Sequence, residues 1–307
     1  MKKPSFNLPT CLSLLVVATL TGCTTVTTLS RVPAYSAAKI GVEAGLSPQD
    51  QKRVDENCIF GLPKLDPQIN FGPTDLVARD GYVLLHSAAD KIALFVCEHV
   101  SAPQLKGNLA RDDKFQADPL LKTGRRAELK DYAGSGYDRG HQAPAGDQTT
   151  DKRLKAETFY LSNMAPQIPA LNRQIWKELE TQARDWAEKR GSAYIITGPM
   201  FYNTNEESAV TATGLVHYKV IGPDAVAVPT HFYKIIVAKD SLSQWQAIGF
   251  VLENRKYPTP KGGDHYHWEE FIKSIDWIQK RTGVDFMPEA DRDEAKRLEN
   301  TASALWN

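Results

Sequence analysis

The stretch Tyr137-Asp138-Arg139-Gly140-His141-Gln142-Ala143-Pro144 decides how the rest of the chain is read. Taken alone, a histidine between a glycine and a polar residue is more often a satisfied structural group than a catalytic one. What gives His141 chemistry to do lies downstream. Thr158-Phe159-Tyr160-Leu161-Ser162-Asn163 reads as a strand, Ala165-Pro166-Gln167-Ile168-Pro169-Ala170-Leu171 as a crossing segment, and Asn172 opens a helix that runs to Arg190. The order strand, loop, strand, crossing segment, helix can bring His141 and the first turn of that helix to one place.

On the helix, Asn172, Trp176 and Glu180 fall at i, i+4 and i+8. At α-helical spacing Asn172 and Glu180 are only ~80° apart around the axis but ~12 Å apart along it. They share a face, yet are too far apart for both to ligate one ion easily at the ~2.1 Å that Mg2+ demands. Asn172 is therefore assigned the metal, Mg2+ with Mn2+ as a substitute, and Glu180 the orientation of the water around it. A single neutral amide leaves the full charge on the ion, which suits a Lewis acid that stabilises a leaving oxygen. A neutral His141 then deprotonates a water for in-line attack, and a guanidinium offsets charge on the phosphate oxygens. Because the base must be unprotonated, activity is expected to fall as pH drops through the histidine range.

The runs Tyr137 to His141, Thr158 to Gln167 and Leu171 to Glu180 together resemble the DNA/RNA non-specific endonucleases, the endonuclease G-like members of the ββα-metal nucleases. The resemblance extends from about Cys58 to Pro288 and includes Tyr194-Ile195-Ile196-Thr197-Gly198-Pro199 and Thr282-Gly283-Val284-Asp285-Phe286. It implies an α+β fold, a ββα-metal core on a mostly antiparallel central sheet flanked by helices. It also implies cleavage of DNA and RNA to 5′-phosphate ends, with homodimers frequent among relatives. Position by position, it implies that His141 is the general base, Asn172 the metal ligand, Glu180 the glutamate two turns on, and Asn163 a support of the site. Arg111, in Arg111-Asp112-Asp113-Lys114-Phe115, matches a transition-state arginine on less sequence. Arg139 is read as a substrate-phosphate contact or an internal salt bridge, Asp138 as structural, and Trp176 as core.

Working outward, Gly81 to His86 and Lys91 to Cys97 are apolar runs separated by Ser87-Ala88-Ala89-Asp90, a hairpin from the centre of a sheet. Further strands are expected at Thr158 to Leu161, Ser192 to Thr197, Thr230 to Ala238 and Gln246 to Leu252. A second helix is expected over Trp268 to Thr282, with Phe271, Ile275 and Ile278 on one face and Gly283 as its stop. His265 and His267 stand at i, i+2 without partnering cysteines, a poor zinc signal, and His217 and His231 read as packed or partly exposed. Lys122, Arg125, Arg126, Lys130, Lys152, Arg153 and Lys155 flank the central motif and are the candidate patch for nucleic acid.

The chain has 307 residues, 42% hydrophobic and 24% charged, with 37 basic residues against 37 acidic. That balance argues against a generally basic nucleic-acid binder and requires any such surface to be local. Lys2 and Lys3 precede the short apolar run Cys11 to Leu20, a secretory signal rather than a span. Leu20-Thr21-Gly22-Cys23 resembles the lipobox of bacterial lipoproteins, with a plain signal peptide as the alternative. The resemblance implies a signal over 1–22, lipid on Cys23, and a membrane anchor in the bacterial cell envelope. Thr24, not being Asp, points to the outer membrane. A tether over 23–57 would lead to a nuclease domain over 58–290 and a polar tail over 291–307. Ser47-Pro48 is suited to start a short polar helix. Cys58 and Cys97 remain for one disulfide, or as buried thiols. The competing reading of the whole is an inactive nuclease-like envelope lipoprotein that binds nucleic acid or protein.

Overall fold

In chain order the secondary structure runs α1 (Pro48–Asn57), β1 (Lys64–Leu65), β2 (Thr74–Ala78), β3 (Val83–Ser87), β4 (Ile92–Ser101), α2 (Leu129–Tyr132), β5 (Asp138–His141), α3 (Lys152–Glu157), β6 (Met164–Gln167) and α4 (Lys177–Arg190). It continues through β7 (Ser192–Met200), β8 (Lys219–Ile221), β9 (Val226–Val228), β10 (His231–Lys239), β11 (Trp245–Glu253), β12 (Ile272–Lys273), α5 (Ile275–Thr282), β13 (Val284–Asp285) and α6 (Arg292–Asn300). The computed structural model describes residues 45–203, 216–260, 265–301 and 304–306. Cys23, the 1–22 signal and the tether up to residue 44 lie outside the described residues.

Seven strands form one sheet in the order β12-β11-β10-β7-β4-β3-β2, every neighbouring pair antiparallel. The expected hairpin of β3 and β4 is there, closed by Ser87, whose Oγ accepts from the Asp90 amide at 3.1 Å. The long runs of β4, β10 and β11 are buried on both faces because the sheet is covered on both sides. One face packs against α4 and the β5–β6 pair through Trp176, Leu179, Trp186, Ile195, Phe232 and Ile236. The other packs against α1, α5 and α6 through Val54, Ile235, Ile275, Ile278 and Leu298. The α+β class, the antiparallel sheet and the flanking helices are as expected.

Several local expectations are corrected. Thr158 to Leu161 is not a strand: it is the turn that ends α3 and a 3-10 segment at Leu161–Asn163, and the pairing strand begins at Met164. Aromatic β propensity in Phe159 and Tyr160 loses there to Asn163, whose amide donates to the Thr158 carbonyl at 2.9 Å and holds the turn closed. The helix over Trp268 to Thr282 is divided, with a 3-10 turn at Trp268–Phe271, then β12 on the sheet edge, then α5. Ser274 makes the division by accepting from the Trp277 amide at 3.2 Å as the cap of α5. Gly283 stops α5 as expected, at φ +67° in the left-handed region.

The ends of the folded unit also lie outside residues 58–290. Ser47 caps α1, with its Oγ accepting from the Asp50 amide at 3.1 Å, and Pro48 takes the first turn. That helix belongs to the core: Val54 and Asn57 are buried, and Asn57 Oδ1 accepts from the His99 amide at 3.2 Å. At the other end α6 buries Leu298, and the Trp306 carbonyl accepts from Trp186 Nε1 at 2.9 Å, so the polar tail is docked. Cys58 and Cys97 are buried free thiols. Among the described residues no helix is long and apolar enough to cross a membrane.

Candidate active site

The central motif forms β5, paired antiparallel with β6 so that His141 faces Met164 and Asp138 faces Gln167. A Cβ at Gly140 would lie 2.1 Å from Gln167 Oε1, so a larger residue here forces the buried Gln167 side chain to move. After Gln167 the chain crosses to a π-helical turn over Leu171–Trp176, which runs directly into α4. The ββα order is therefore as expected, but the α-helical arithmetic does not hold across its first turn. A wider turn rotates each residue less about the axis, which brings Asn172 nearer the line of Glu180 than α-helical spacing implies.

His141 ends β5 at 7% exposure, its ring edge-on to Phe159 at 5.0 Å and 5.7 Å from Phe115. Nε2 is buried without a hydrogen-bond partner. Burial, with the positive charges of Arg111 and Arg139 acting against the negative charge of Asp113, pushes its pKa down to about 3. The ring is thus a neutral acceptor through the ordinary histidine range, and its own protonation falls below that range. Asn163 fixes the backbone just beyond it. Its Oδ1 accepts from the Ala143 amide at 2.9 Å, and its Nδ2 donates to the carbonyls of Ala143 at 2.8 Å and Thr158 at 2.9 Å. Fully buried and spent on backbone, Asn163 positions the loop and does not itself face a substrate.

Asp138 joins the strand to the helix. Its carboxylate accepts from Asn172 Nδ2 at 2.9 Å and from Arg173 at 2.6 and 2.7 Å. Burial raises the Asp138 pKa, but the hydrogen bonds from Arg173 and Asn172 outweigh it and hold the carboxyl below its usual value. With its amide nitrogen committed to Asp138, Asn172 keeps its carbonyl oxygen for a cation. On α4, Glu180 has no hydrogen-bond or ion-pair partner among the described residues. Burial pushes its pKa up to about 7, opposed by Lys234, Arg184 and Arg111 and reinforced by Asp147. A hard amide oxygen is a ligand that fits a small divalent ion, and Glu180 stands about two turns further along the same helix. Among the described residues no cluster of three or more His, Cys, Asp or Glu side chains is placed to hold one.

The arginines sit where sequence alone left them open. Arg139 lies over the Phe115 ring, 4.1 Å from its centroid, and has no ion-pair partner among the described residues, so the internal salt bridge is not formed. Arg111 is exposed beside Asp113, 5.5 Å from the Phe159 centroid, and its charge reaches both His141 and Glu180. The flanking basic cluster is largely spent on acids instead of forming an open patch. Arg125 pairs with Asp75 at 2.7 Å, Arg126 with Glu128 at 2.9 Å, Lys130 with Asp224 at 3.0 Å and Arg153 with Asp80 at 2.7 Å. Trp176 is core, against Phe232 at 5.6 Å. His217, His265 and His267 are exposed, whereas His231 is buried beside Thr230.

Two groups of site residues escaped the sequence. Phe115 and Phe159 carry Arg139 and Arg111, and the only local signal was the aromatic position of Phe115 directly after a charged run. Glu98 and Lys234 are charges inside apolar strands, buried to 1% exposure, and that interruption of the pattern was legible though its purpose was not.

The family model described as DNA/RNA non-specific endonuclease matches residues 68–293. Mitochondrial endonuclease G of Homo sapiens is 34% identical over 232 residues, 75% of this chain and 72% of that protein. Nuclease C1 of Cunninghamella echinulata var. echinulata is 36% identical over 222 residues, 71% of this chain and 84% of that protein. A crystal structure of an EndoG/EndoGI complex, described as showing the mechanism of EndoG inhibition, aligns with a TM-score of 0.67 at 30% identity. It covers 82% of this chain and 96% of that chain.

Proposed function

From the premise that this chain belongs to the DNA/RNA non-specific endonuclease family and is a phosphodiester-hydrolysing nuclease of ββα-metal fold, we propose a magnesium-dependent endonuclease that cuts DNA and RNA with little sequence preference. His141 is its general base. The observation that carries the reading is the Asp138–Asn172 hydrogen bond of 2.9 Å, which ties the strand bearing the base to the helix turn bearing the metal amide.

The division of work follows from the geometry. Asn172 would hold the ion through its carbonyl oxygen, with Glu180 accepting from the waters around it. When bound, Mg2+, or Mn2+ in its place, would supply Lewis-acid stabilisation of the leaving oxygen. His141, kept neutral by burial and two guanidiniums, takes the proton of the attacking water, a contribution of ~10² to 10⁴ in rate. Arg139 is held ready by stacking on Phe115, and with Arg111 it offsets negative charge on the phosphate oxygens. The product carries a 5′-phosphate. Little sequence preference suits a site whose recognisable contacts are to phosphate rather than to base edges.

The decisive test is plasmid and RNA degradation with Mg2+ by protein lacking residues 1–30, beside His141→Ala. Equal inertness of both proteins across metals between about pH 6 and 9 would sink the reading. The anchor is a separate proposal: Cys23 carries lipid and holds the enzyme at the bacterial envelope, at the outer membrane. It is checked by metabolic labelling with a fatty acid, and label that persists in Cys23→Ser would refute it. A homodimer is checked by light scattering of the same protein.

A further inference from the structure

The loop over 107–115, which carries Arg111, has no regular secondary structure, and residues 110–114 are exposed. Its far end is fixed to the turn that carries Phe159. The Gln116 amide donates to the Phe159 carbonyl at 3.3 Å, and the Gln116 carbonyl accepts from the Leu161 amide at 2.9 Å. Those bonds settle Phe115, the ring beside Arg139. Between Leu109 and Gln116 the hydrogen bonds and ion pairs among the described residues are internal to the loop: Lys114 and Arg111 turn to Asp112 and Asp113, and the Phe115 amide to the Asp113 carbonyl. Arg111, two residues from Leu109 and five from Gln116, therefore depends on the near end for its place.

Three contacts make that end. The Gly107 amide donates to Thr149 Oγ1 at 2.8 Å and the Leu109 amide to the Thr149 carbonyl at 3.3 Å. The Leu109 carbonyl accepts from Lys155 Nζ at 2.8 Å. Lys155 is out of character for its helix. On α3, Lys152, Arg153 and Ala156 are exposed, and Arg153 pairs with Asp80 and Glu157. Lys155 is 9% exposed, has no ion-pair partner among the described residues, and gives its ammonium to a backbone carbonyl 46 residues earlier. Lysine is rarely buried without an acid, because its ammonium is costly to desolvate. A charged donor makes a stronger hydrogen bond to a carbonyl than a neutral one, so Lys155 gives a firm hold on a loop that has few others. What the hold secures is the guanidinium of Arg111, 5.5 Å from the centroid of Phe159, the ring that meets His141 edge-on at 5.0 Å.

We propose that Lys155 is a positioning residue of the nuclease: by holding the Leu109 carbonyl it fixes the near end of the loop and keeps Arg111 at the phosphate beside His141. The proposal rests on the role given to Arg111 above. It takes Lys155 out of the basic cluster around the central motif, since its ammonium faces the loop and not a substrate.

The test compares full-length wild type with Lys155→Met, which keeps the length of the side chain and removes the donor. With Mg2+ present, kcat for plasmid cleavage should fall ~10- to 100-fold, as when a reacting group is displaced by about 1 Å. KM should stay within about twofold, because Arg111 meets charge that develops only in the transition state. In an Arg111→Ala background Lys155→Met should cost little further kcat, because the group it places is gone. Trypsin should cut after Lys114 faster in Lys155→Met than in wild type, a measure of loop freedom that needs no catalysis. Thr149→Val, which removes the hydroxyl holding Gly107, should move kcat and proteolysis in the same directions by less, and it provides the test if Lys155→Met does not fold. A folded Lys155→Met, or a folded Thr149→Val, with wild-type kcat and wild-type proteolysis overturns the proposal. A loss confined to KM, with a shallower dependence on salt, overturns it too and makes Lys155 a phosphate contact. So does a loss that persists undiminished in Arg111→Ala. Wild-type kcat in Arg111→Ala alone would instead overturn the Arg111 assignment on which the proposal rests, while the trypsin comparison still decides whether Lys155 holds the loop.

Discussion

Two buried histidines on different strands contrast the proposed catalytic environment with a merely dry one. His141 at the end of β5 and His86 in β3 are both removed from water, and burial drives both pKa values down, to about 3 and about 4. Their surroundings differ in what is left unspent. His86 stands opposite Asp75, whose carboxylate has already taken Arg125 at 2.7 Å. His141 stands beside Arg139, whose guanidinium rests on an aromatic ring with no ion-pair partner among the described residues, and three residues along the strand from the Asp138–Asn172 clamp. Burial alone makes a neutral imidazole. An arginine without an ion-pair partner among the described residues and a committed amide are what the proposed site adds.

The contrast breaks most sharply on activity. His141→Ala should lower Mg2+-supported cleavage ~10² to 10⁴-fold. His86→Leu should leave the rate per folded molecule within about twofold, since it lies in a separate environment; single-turnover assays normalised to folded protein would show either result. Next in size are the arginines. Arg139→Ala should cost ~10² to 10³-fold in the rate of cleavage, whereas Arg125→Ala, which only releases Asp75, should not. Equal losses from the two arginine variants would erase the distinction between spent and unspent cations.

Stability should separate the same two histidines by pH. A histidine whose folded pKa is below its unfolded value of ~6.5 binds fewer protons folded, so its contribution is complete above ~6.5 and is lost as pH falls. For His86, falling to about 4, that loss is ~3 kcal/mol, and His86→Leu should flatten the corresponding part of a pH series of urea unfolding curves. A series that keeps its slope in this variant would contradict the burial of an uncharged His86. Asp138→Ala should then weaken Mg2+ binding ~10- to 100-fold by freeing the Asn172 amide, measured by calorimetry. The smallest effect concerns Glu180, which is pushed up to about 7 and is protonated below that value. At low Mg2+ the acid limb of activity should fall near neutrality and shift down by ~1 pH unit as the ion is raised tenfold, because metal and proton compete for one carboxylate. A limb insensitive to Mg2+ would assign it to some other group.

Much of the fold was legible where the information is local. The β3–β4 hairpin, the strands β7, β10 and β11, the Ser47-Pro48 helix start and the Gly283 stop all follow from periodicity, capping and φ preference within a few residues. The errors arise where a side-chain hydrogen bond or a distant contact overrides the strand or helix preference. Phe159 and Tyr160 favour a strand, but Asn163 holds them in a turn that also fixes Ala143, twenty residues away. The polar tail reads as solvated until Trp306 meets Trp186, 120 residues earlier.

By itself the sequence determined the order of the ββα unit, and it proposed His141, Asn163, Asn172 and Glu180 through their match to the family's motifs. The tertiary structure alone decided which charges are free. Arg139 was released onto Phe115, Arg125, Arg126, Lys130 and Arg153 were consumed by acids, and Lys234 was buried within β10 against Thr197. The partner of a charge is chosen in space, often across tens of residues, and its strength is set by how much water the fold excludes around it.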